Sequence, residues 1–463
     1  MADIASTAFD VQRYATPARP VGLREVHIGS DALLRLPAVI RAIGSDLGVG
    51  RIVVLSDAVP KYRRGEDATA LVASLLSGLA DVQRVRVLED VAGVHADERT
   101  VAAAAAAASG ARVLVTVGSG TVADIGKAAA ARLRGPSHVI VQTALSVNGY
   151  ADDQSVLLVD GVKRTTPTCW PDALIADTQL LAEAPIELNL AGVGDLLAMF
   201  TAPADWRIAN LLGMDDQYAG EVVAMVRENG PALLQAAPLL READDDAIEL
   251  TAKVLTLSGV CMGLAGTTAP ASGAEHTVSH LLEMAGASQS RRSAYHGAQV
   301  GAATMLAAQV WQHVRQRVRA GVRVMRCPSE EQTRPAVLRA FGSLDSSGAM
   351  ADECWRDYRR KLARWRELHG DEDELDTAHL EDAARLLEDS AVLRTALYSS
   401  GAPTRMAELD PPVDAEMTRW ALANCHLMRE RFTVVDLACF LGVWQPADVD
   451  AVLAAADIEG AGL

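Results

Sequence analysis

The sequence predicts an α/β nucleotide-binding layer over residues 1–180, followed by an all-helical domain over residues 181–463. Three observations carry this. Four short β-branched runs, Arg51–Asp57, Arg84–Asp90, Ala111–Val117 and His138–Thr143, alternate with helical stretches such as ATALVASLLSGLA and ERTVAAAAAAAS. That is the βαβ rhythm of a parallel sheet buried on both faces. The segment VTVGSGTVADIGKAAA, Val115 to Ala130, runs from strand through a glycine turn into an alanine-rich helix. Beyond about residue 180 strand signals almost vanish, and stretches such as LNLAGVGDLLAMFTAPADWRIANLL, DDAIELTAKVLTLSGVCMGLAG and TVVDLACFLGVW keep helical periodicity.

The glycine turn points to an anionic ligand. A strand, a tight turn and a helix N-terminus aim backbone N–H groups and a partial positive charge at one point. The spacing is not the dinucleotide fingerprint, because Ala123 stands at the third glycine, and no P-loop lysine follows. An ordinary tight βα turn accounts for the glycine pair equally well. Asp57 and Asp90 end strands, and at the first of these a carboxylate can bind a ribose hydroxyl and disfavour a 2′-phosphate. A plain turn aspartate is the competing account of Asp57.

The second half is read as helices joined by polar breaks. Pro328–Pro335 and Gly342–Gly348 are expected to mark a long interhelical loop, and LHGDEDELDTAHLEDAARLLED an acidic solvated face. Three residues there could do chemistry together: Asp195, His276 and His296 sit in otherwise apolar helical stretches, where a carboxylate or imidazole is costly unless paired or coordinated. One carboxylate with two imidazoles is a zinc set that leaves a position open. A single buried histidine is more commonly a hydrogen-bonded core residue, and sequence separation does not show convergence. His280, one turn after His276, falls on the same side as a substrate contact or proton relay, while His426 reads as helix surface or core.

Half of the 463 residues are apolar and the formal charge is −17, which argues against a nucleic-acid or membrane-surface partner and requires a local positive pocket for any anionic substrate. The six cysteines form no C-x-x-C pair, the pattern of reduced thiols in a cytoplasm. The first twenty residues hold no apolar core of a signal peptide, so neither export nor a membrane span is expected. A homodimer is the default expectation for such an enzyme.

The motifs GSGTVADIGK, TALSVNGYAD, DGVKRTTPTCWPDALIADTQLLAEAP, AGVGDLLAMFTAPADWRI, SGAEHTVSH and YHGAQVG occur in an order that resembles the sn-glycerol-1-phosphate dehydrogenase family, bacterial type. CWRDYRRKLARW and RFTVVDLACFLG extend the likeness towards the C-terminus. This family groups with glycerol dehydrogenases, iron-type alcohol dehydrogenases and dehydroquinate synthases. The resemblance implies a dehydroquinate synthase-like fold, an NAD(H)- or NADP(H)-binding α/β domain before a metal-bearing helical one. It implies that Gly118, Ser119, Gly120 and Asp124 form the cofactor loop, that Thr143 and Ser146 lie on the next cofactor-contacting turn, and that Asp57 meets the adenosine ribose. Asp195, His276 and His296 align with the metal ligands and His280 with a substrate-contacting histidine. Met199 stands where iron-type members carry an extra histidine, which favours zinc, with nickel second, over iron. The implied reaction is hydride transfer between the nicotinamide and a ketose or polyol phosphate, dihydroxyacetone phosphate and sn-glycerol 1-phosphate in the parent family. Lys163 and Arg164, read as lying in a turn, are the candidate phosphate contacts.

The chain departs from the family at the substrate turn. Where relatives carry Asp-Gly-x-x-Ser, it reads NGYAD: Asn148 replaces a substrate-contacting aspartate and Asp152 a cofactor-contacting serine. Asn148 can hydrogen-bond a hydroxyl but cannot act as a base. Asp152 places a negative charge by the dinucleotide unless a cation neutralises it. Ala298 stands in place of the usual glutamate after His296-Gly297. Two other readings therefore stay open: a cyclase or lyase using NAD transiently, and a binding protein that retained the fold.

Overall fold

The computed structural model describes residues 7–43, 50–88, 96–159 and 161–461. Asp90 lies outside them. In the first part six parallel strands form one sheet in the spatial order Glu25–Gly29, Ala173–Asp177, Ser137–Gln142, Ala111–Gly118, Arg51–Asp57, Asp81–Leu88. Four of these strands follow the β-branched runs. The outer strand at Glu25–Gly29 and its neighbour Ala173–Asp177 were not anticipated, because EVHIG and ALIAD are short and carry few β-branched residues.

Alternate side chains of the central strands bury into two layers. Ile52, Val54, Val113 and Val115 pack on one face and Val53, Leu55 and Leu114 on the other. Leaving Arg51–Asp57, the chain goes outward to Asp81–Leu88 and returns to Ala111–Gly118 on the opposite flank. Asp57 and Gly118 therefore end neighbouring strands at the point where strand order reverses, the place where open α/β sheets bind ligands.

The chain packs as two compact units. The sheet unit also takes in the helices Ile186–Leu196 and Asp245–Ala265. Packing thus moves the expected border at residue 180 beyond the end of the first of these helices. The Asp245–Ala265 helix is the one among the described residues long and apolar enough to cross a membrane, yet 78% of its apolar window is buried within the protein.

The second unit is almost wholly helical, organised around Ala274–Ser288 and His296–Arg319. Its only sheet among the described residues pairs Val324–Arg326 with Glu372–Glu374, so the acidic stretch begins as a short strand. The loop expected across Pro328–Pro335 is instead the start of a helix, Glu330–Gly342, with Pro335 inside it. Ser329 caps that helix by accepting from the Gln332 amide, and Val337 and Phe341 are buried, which together offset the backbone bond that proline removes.

Residues 143–152 form the turn on which the candidate site rests, and both added helices approach it closely. A Cβ at Gly192 would stand 1.7 Å from the Leu145 carbonyl oxygen, and one at Gly259 2.6 Å from that of Asn148. Asn189 completes the clamp: its Oδ1 accepts from the Leu145 amide at 2.9 Å and its Nδ2 donates to the Leu181 carbonyl at 2.8 Å. Gly192→Ala is expected to destabilise the protein by about 3 kcal/mol, since only movement of backbone can relieve the overlap. A shift in the urea midpoint measures it, and a change within about 0.5 kcal/mol would show that the turn yields easily.

Candidate functional site

In the sheet unit, the glycine turn opens the helix Gly120–Leu133, with Ser119 at its N-cap making no side-chain capping bond. The backbone amides of that first turn therefore suit a bound anion. The Thr143 amide donates to the Gly118 carbonyl at 3.2 Å, which brings the two predicted cofactor segments together. Ser146 Oγ and Tyr150 Oη lie 2.8 Å apart, and Tyr150 Oη donates to the Ala144 carbonyl at 3.0 Å, so the Ser146 hydroxyl is tied into the turn. Asp57 Oδ1 accepts from the Val59 amide at 3.0 Å and pairs with Lys61. Asp57 is thus a turn aspartate paired with a cation that sequence reasoning missed.

The charge of Asp152 is met by Lys127. This ammonium has no exposed surface, and it donates to Asp152 Oδ1 at 2.5 Å, to the Gly149 carbonyl at 2.7 Å and to the Gln154 carbonyl. Asp124 stands 3.5 Å from the same nitrogen. Burial raises the Asp152 carboxyl to about 7, and the lysine opposes that rise. Burial also raises the Asp124 carboxyl, with Lys127 and Lys163 pulling it down. Lys163 and Arg164 lie not in a turn but on the strand Val162–Pro167, which pairs with Gln154–Val159.

Asn148 is buried and doubly engaged. Its amide donates to Asp195 Oδ2 at 2.9 Å and its Nδ2 to Ser258 Oγ at 3.1 Å. Its backbone thus orients the candidate ligand Asp195, while its Oδ1 can still accept from a hydroxyl.

In the helical unit His276, His280 and His296 cluster, with ring centroids 5.3 Å apart for His276 and His296, 5.4 Å for His280 and His296 and 6.0 Å for His276 and His280. Among the described residues of this unit, His280, Glu283 and His296 each offer a ligand atom, and these atoms lie within 4.8 Å of one another.

Hydrogen bonding separates the roles of the three rings. His276 Nδ1 is 3.0 Å from Glu275 Oε1, and His296 Nδ1 is 3.1 Å from Glu283 Oε1. A carboxylate only accepts, so Nδ1 carries the proton in both rings and Nε2 carries the lone pair that a metal takes. His280 is the reverse. Arg429 donates to its Nδ1, and a guanidinium only donates, so the His280 proton sits on Nε2. That tautomer is a hydrogen-bond donor rather than a ligand.

Glu275 is wholly buried and also accepts from Thr201 Oγ1 at 2.9 Å and the Gly273 amide at 2.5 Å. Its carboxyl is held below the usual range by His276 and the Gly273 amide, against its burial. Asp205, buried nearby, accepts from Trp311 Nε1 at 2.9 Å, from the Ala274 amide at 2.7 Å and from the Val434 amide at 3.1 Å. Burial, reinforced by Glu275, raises its carboxyl to about 8. Sequence reasoning missed Glu275, Glu283, Asp205, Lys127 and Arg429. Glu275 and Glu283 had a legible signal, since each shares a helix with the histidine pair, at positions −1 and +7 from His276.

Met199 is a buried core residue in the short turn Leu197–Phe200. The His426 ring packs edge-on against Tyr358 at 5.8 Å, and burial lowers its pKa to about 3, as fits a core histidine.

The family model for iron-containing alcohol dehydrogenase matches residues 27–185. A glycerol-1-phosphate dehydrogenase [NAD(P)+] of Bacillus licheniformis is 29% identical over 421 residues, covering 90% of this chain and 89% of its own. Enzymes of the same name from Haloquadratum walsbyi and Halalkalibacterium halodurans are 33% and 32% identical; each alignment covers 62% of this chain, with 76% and 70% of the relatives. Among solved structures, a probable glycerol dehydrogenase from Sinorhizobium meliloti superposes with a TM-score of 0.60 at 18% identity, covering 96% of this chain and 99% of the other.

Two predictions follow from the pairings. Glu275→Gln and Glu283→Gln should each weaken retention of a divalent ion about 10- to 100-fold in competition with a chelator, because each ring loses the carboxylate that fixes it. Lys127→Met should cost about 3–5 kcal/mol in urea unfolding, through the Asp152 charge left buried without its partner. Lys127→Met combined with Asp152→Ser should recover most of that loss.

Proposed function

The chain belongs to the glycerol-1-phosphate dehydrogenase family, and from that premise we propose that it interconverts dihydroxyacetone phosphate and sn-glycerol 1-phosphate with NAD(P)(H) and a divalent metal. It is an NAD(P)-linked oxidoreductase acting on a CH–OH group. The observation that carries the metal reading is the pair of imidazoles each backed by a carboxylate, which presents two basic Nε2 atoms.

In this reading Asp195, His276 and His296 hold the ion, which supplies Lewis acidity to a substrate oxygen. Three protein ligands leave room for a substrate, and their nitrogen-rich set suits zinc, with nickel as the second candidate. Hydride transfer is the chemistry that a bound nicotinamide would supply. Gly118, Ser119 and Gly120 bind the pyrophosphate through backbone amides, and Asp124, Thr143, Ser146 and Asp152 line the cofactor side. Asp57 takes a ribose hydroxyl, while Lys61 beside it offsets the repulsion that a 2′-phosphate would meet. Both dinucleotides are therefore accepted.

His280 presents an N–H at Nε2 that hydrogen-bonds the substrate oxygen and steadies the charge developing there, while water supplies the proton that the reduced carbonyl oxygen requires. Asn148 orients the substrate by accepting from a hydroxyl and steadies Asp195 through its backbone. The charged aspartate that relatives place at this position is dispensable for hydride transfer in this reading, because the proton comes from water. Lys163 contributes positive charge at the approach. The working unit is a cytoplasmic homodimer.

The test is consumption of NADH and of NADPH by the metal-loaded protein with dihydroxyacetone phosphate. His276→Ala should lower kcat/KM by at least about 10³-fold, and chelation should abolish turnover until zinc or nickel is returned. Bound metal and bound cofactor without turnover would overturn the reading.

A further inference from the structure

The two helices that carry the histidines meet at a small buried polar group. Along Ala274–Ser288, His276, Ser279 and Glu283 share one face at helical spacing, as do His296 and Gln299 along His296–Arg319. His296 Nδ1 lies 3.1 Å from Glu283 Oε1 and 3.3 Å from Ser279 Oγ, so one ring N–H meets two acceptors. Ser279 and Gln299 are both buried, and Ser279 Oγ donates to Gln299 Oε1 at 3.4 Å. Gln299 Nε2 in turn donates to the Ala294 carbonyl at 2.8 Å. Thr251, Thr256 and Thr304, which are also buried in mid-helix, turn their hydroxyls back to the carbonyl four residues earlier. Ser279 turns its hydroxyl to the neighbouring helix instead.

Donors and acceptors in this chain can run in one direction only. A backbone carbonyl accepts, so the Gln299 amide turns its Nε2 to Ala294 and its Oε1 to Ser279. An amide oxygen also only accepts, so the one hydrogen of Ser279 Oγ is committed to Gln299. The lone pairs of that hydroxyl face His296, whose Nδ1 is then the donor. The Ala294 carbonyl, two residues before His296, thus dictates through two side chains which nitrogen of that ring carries the proton. Glu283 selects the same nitrogen with a charge, and Ser279 does so without one.

We infer that Ser279 and Gln299 are positioning residues for the metal-binding nitrogen of His296: they hold its proton on Nδ1 independently of the Glu283 carboxylate, and so keep the Nε2 lone pair open to an ion. This rests on the metal reading given above. A ring oriented by two acceptors keeps its tautomer when either is removed, and partners of this kind set both the direction and the basicity of a ligand.

The experiment loads the full-length parent, Ser279→Ala, Glu283→Ala and the double variant with zinc and follows its loss to a chelator. Ser279→Ala alone should weaken retention about 2- to 10-fold, the share of one hydrogen bond. The double variant should lose about 5-fold or more beyond the product of the two single losses, because each residue covers for the other. Gln299→Leu paired with Glu283→Ala should show the same excess, since the Ser279 hydrogen can then turn towards the ring. Losses that simply multiply would overturn the inference, because a packing role lowers the urea midpoint and leaves the two losses independent. If the parent retains no zinc, the metal reading fails, and 15N NMR of the histidine rings decides the inference. His296 should then keep its proton on Nδ1 in both single variants and lose it in the double variant; an unmoved proton would overturn the inference. If the Ser279→Ala double variant does not fold, the Gln299→Leu pair decides by the same excess.

Discussion

One carboxylate, that of Asp205, sets the geometry of the helical unit. It takes the first amide of two helices, Ala274–Ser288 and Val434–Phe440, together with the indole N–H of Trp311 from a third. Helix starts leave amides unsatisfied, and in a buried place each needs an acceptor. By answering two of them at once, Asp205 fixes where the helix bearing His276, His280 and Glu283 begins, and so where each of those side chains falls. Glu275, the neighbour that raises the Asp205 carboxyl, is the same residue that orients His276. Support of the helix and support of the ligand are parts of one hydrogen-bonded group.

The three histidines illustrate how partners rather than residue type decide chemistry. All three are half-buried or buried imidazoles within about 6 Å of one another. Two face carboxylates and are set as metal bases; the third faces a guanidinium and is set as a donor. Exchanging these partners would exchange the roles with no change in the rings.

Much of the fold was legible because burial writes itself into composition. The four central strands are runs of Val, Ile and Leu, and the helical half keeps its period throughout. The edge strand Glu25–Gly29 escaped because only alternate residues of EVHIG are apolar, and Pro335 misled because a capped and well-packed helix tolerates it. At the site, Asp195, His276 and His296 stood out as polar groups among apolar ones. Their supports did not. Glu275 and Glu283 were signalled only by sharing the helix of the histidine pair, and Arg429, 149 residues from His280, has no local signature at all. Long-range pairing of charges is invisible to periodicity.

The Lys127–Asp152 pair has a consequence for how such a site can come about. With a neutral side chain at 152, Lys127 would keep the Gly149 and Gln154 carbonyls and nearby Asp124 as partners. Asp152 without Lys127 would be a buried anion beside a second carboxylate. The order of change therefore matters to stability: gaining the lysine first never leaves a buried charge without a partner, whereas gaining the aspartate first passes through a less stable protein. Losing Lys127 while Asp152 stays carries the same cost.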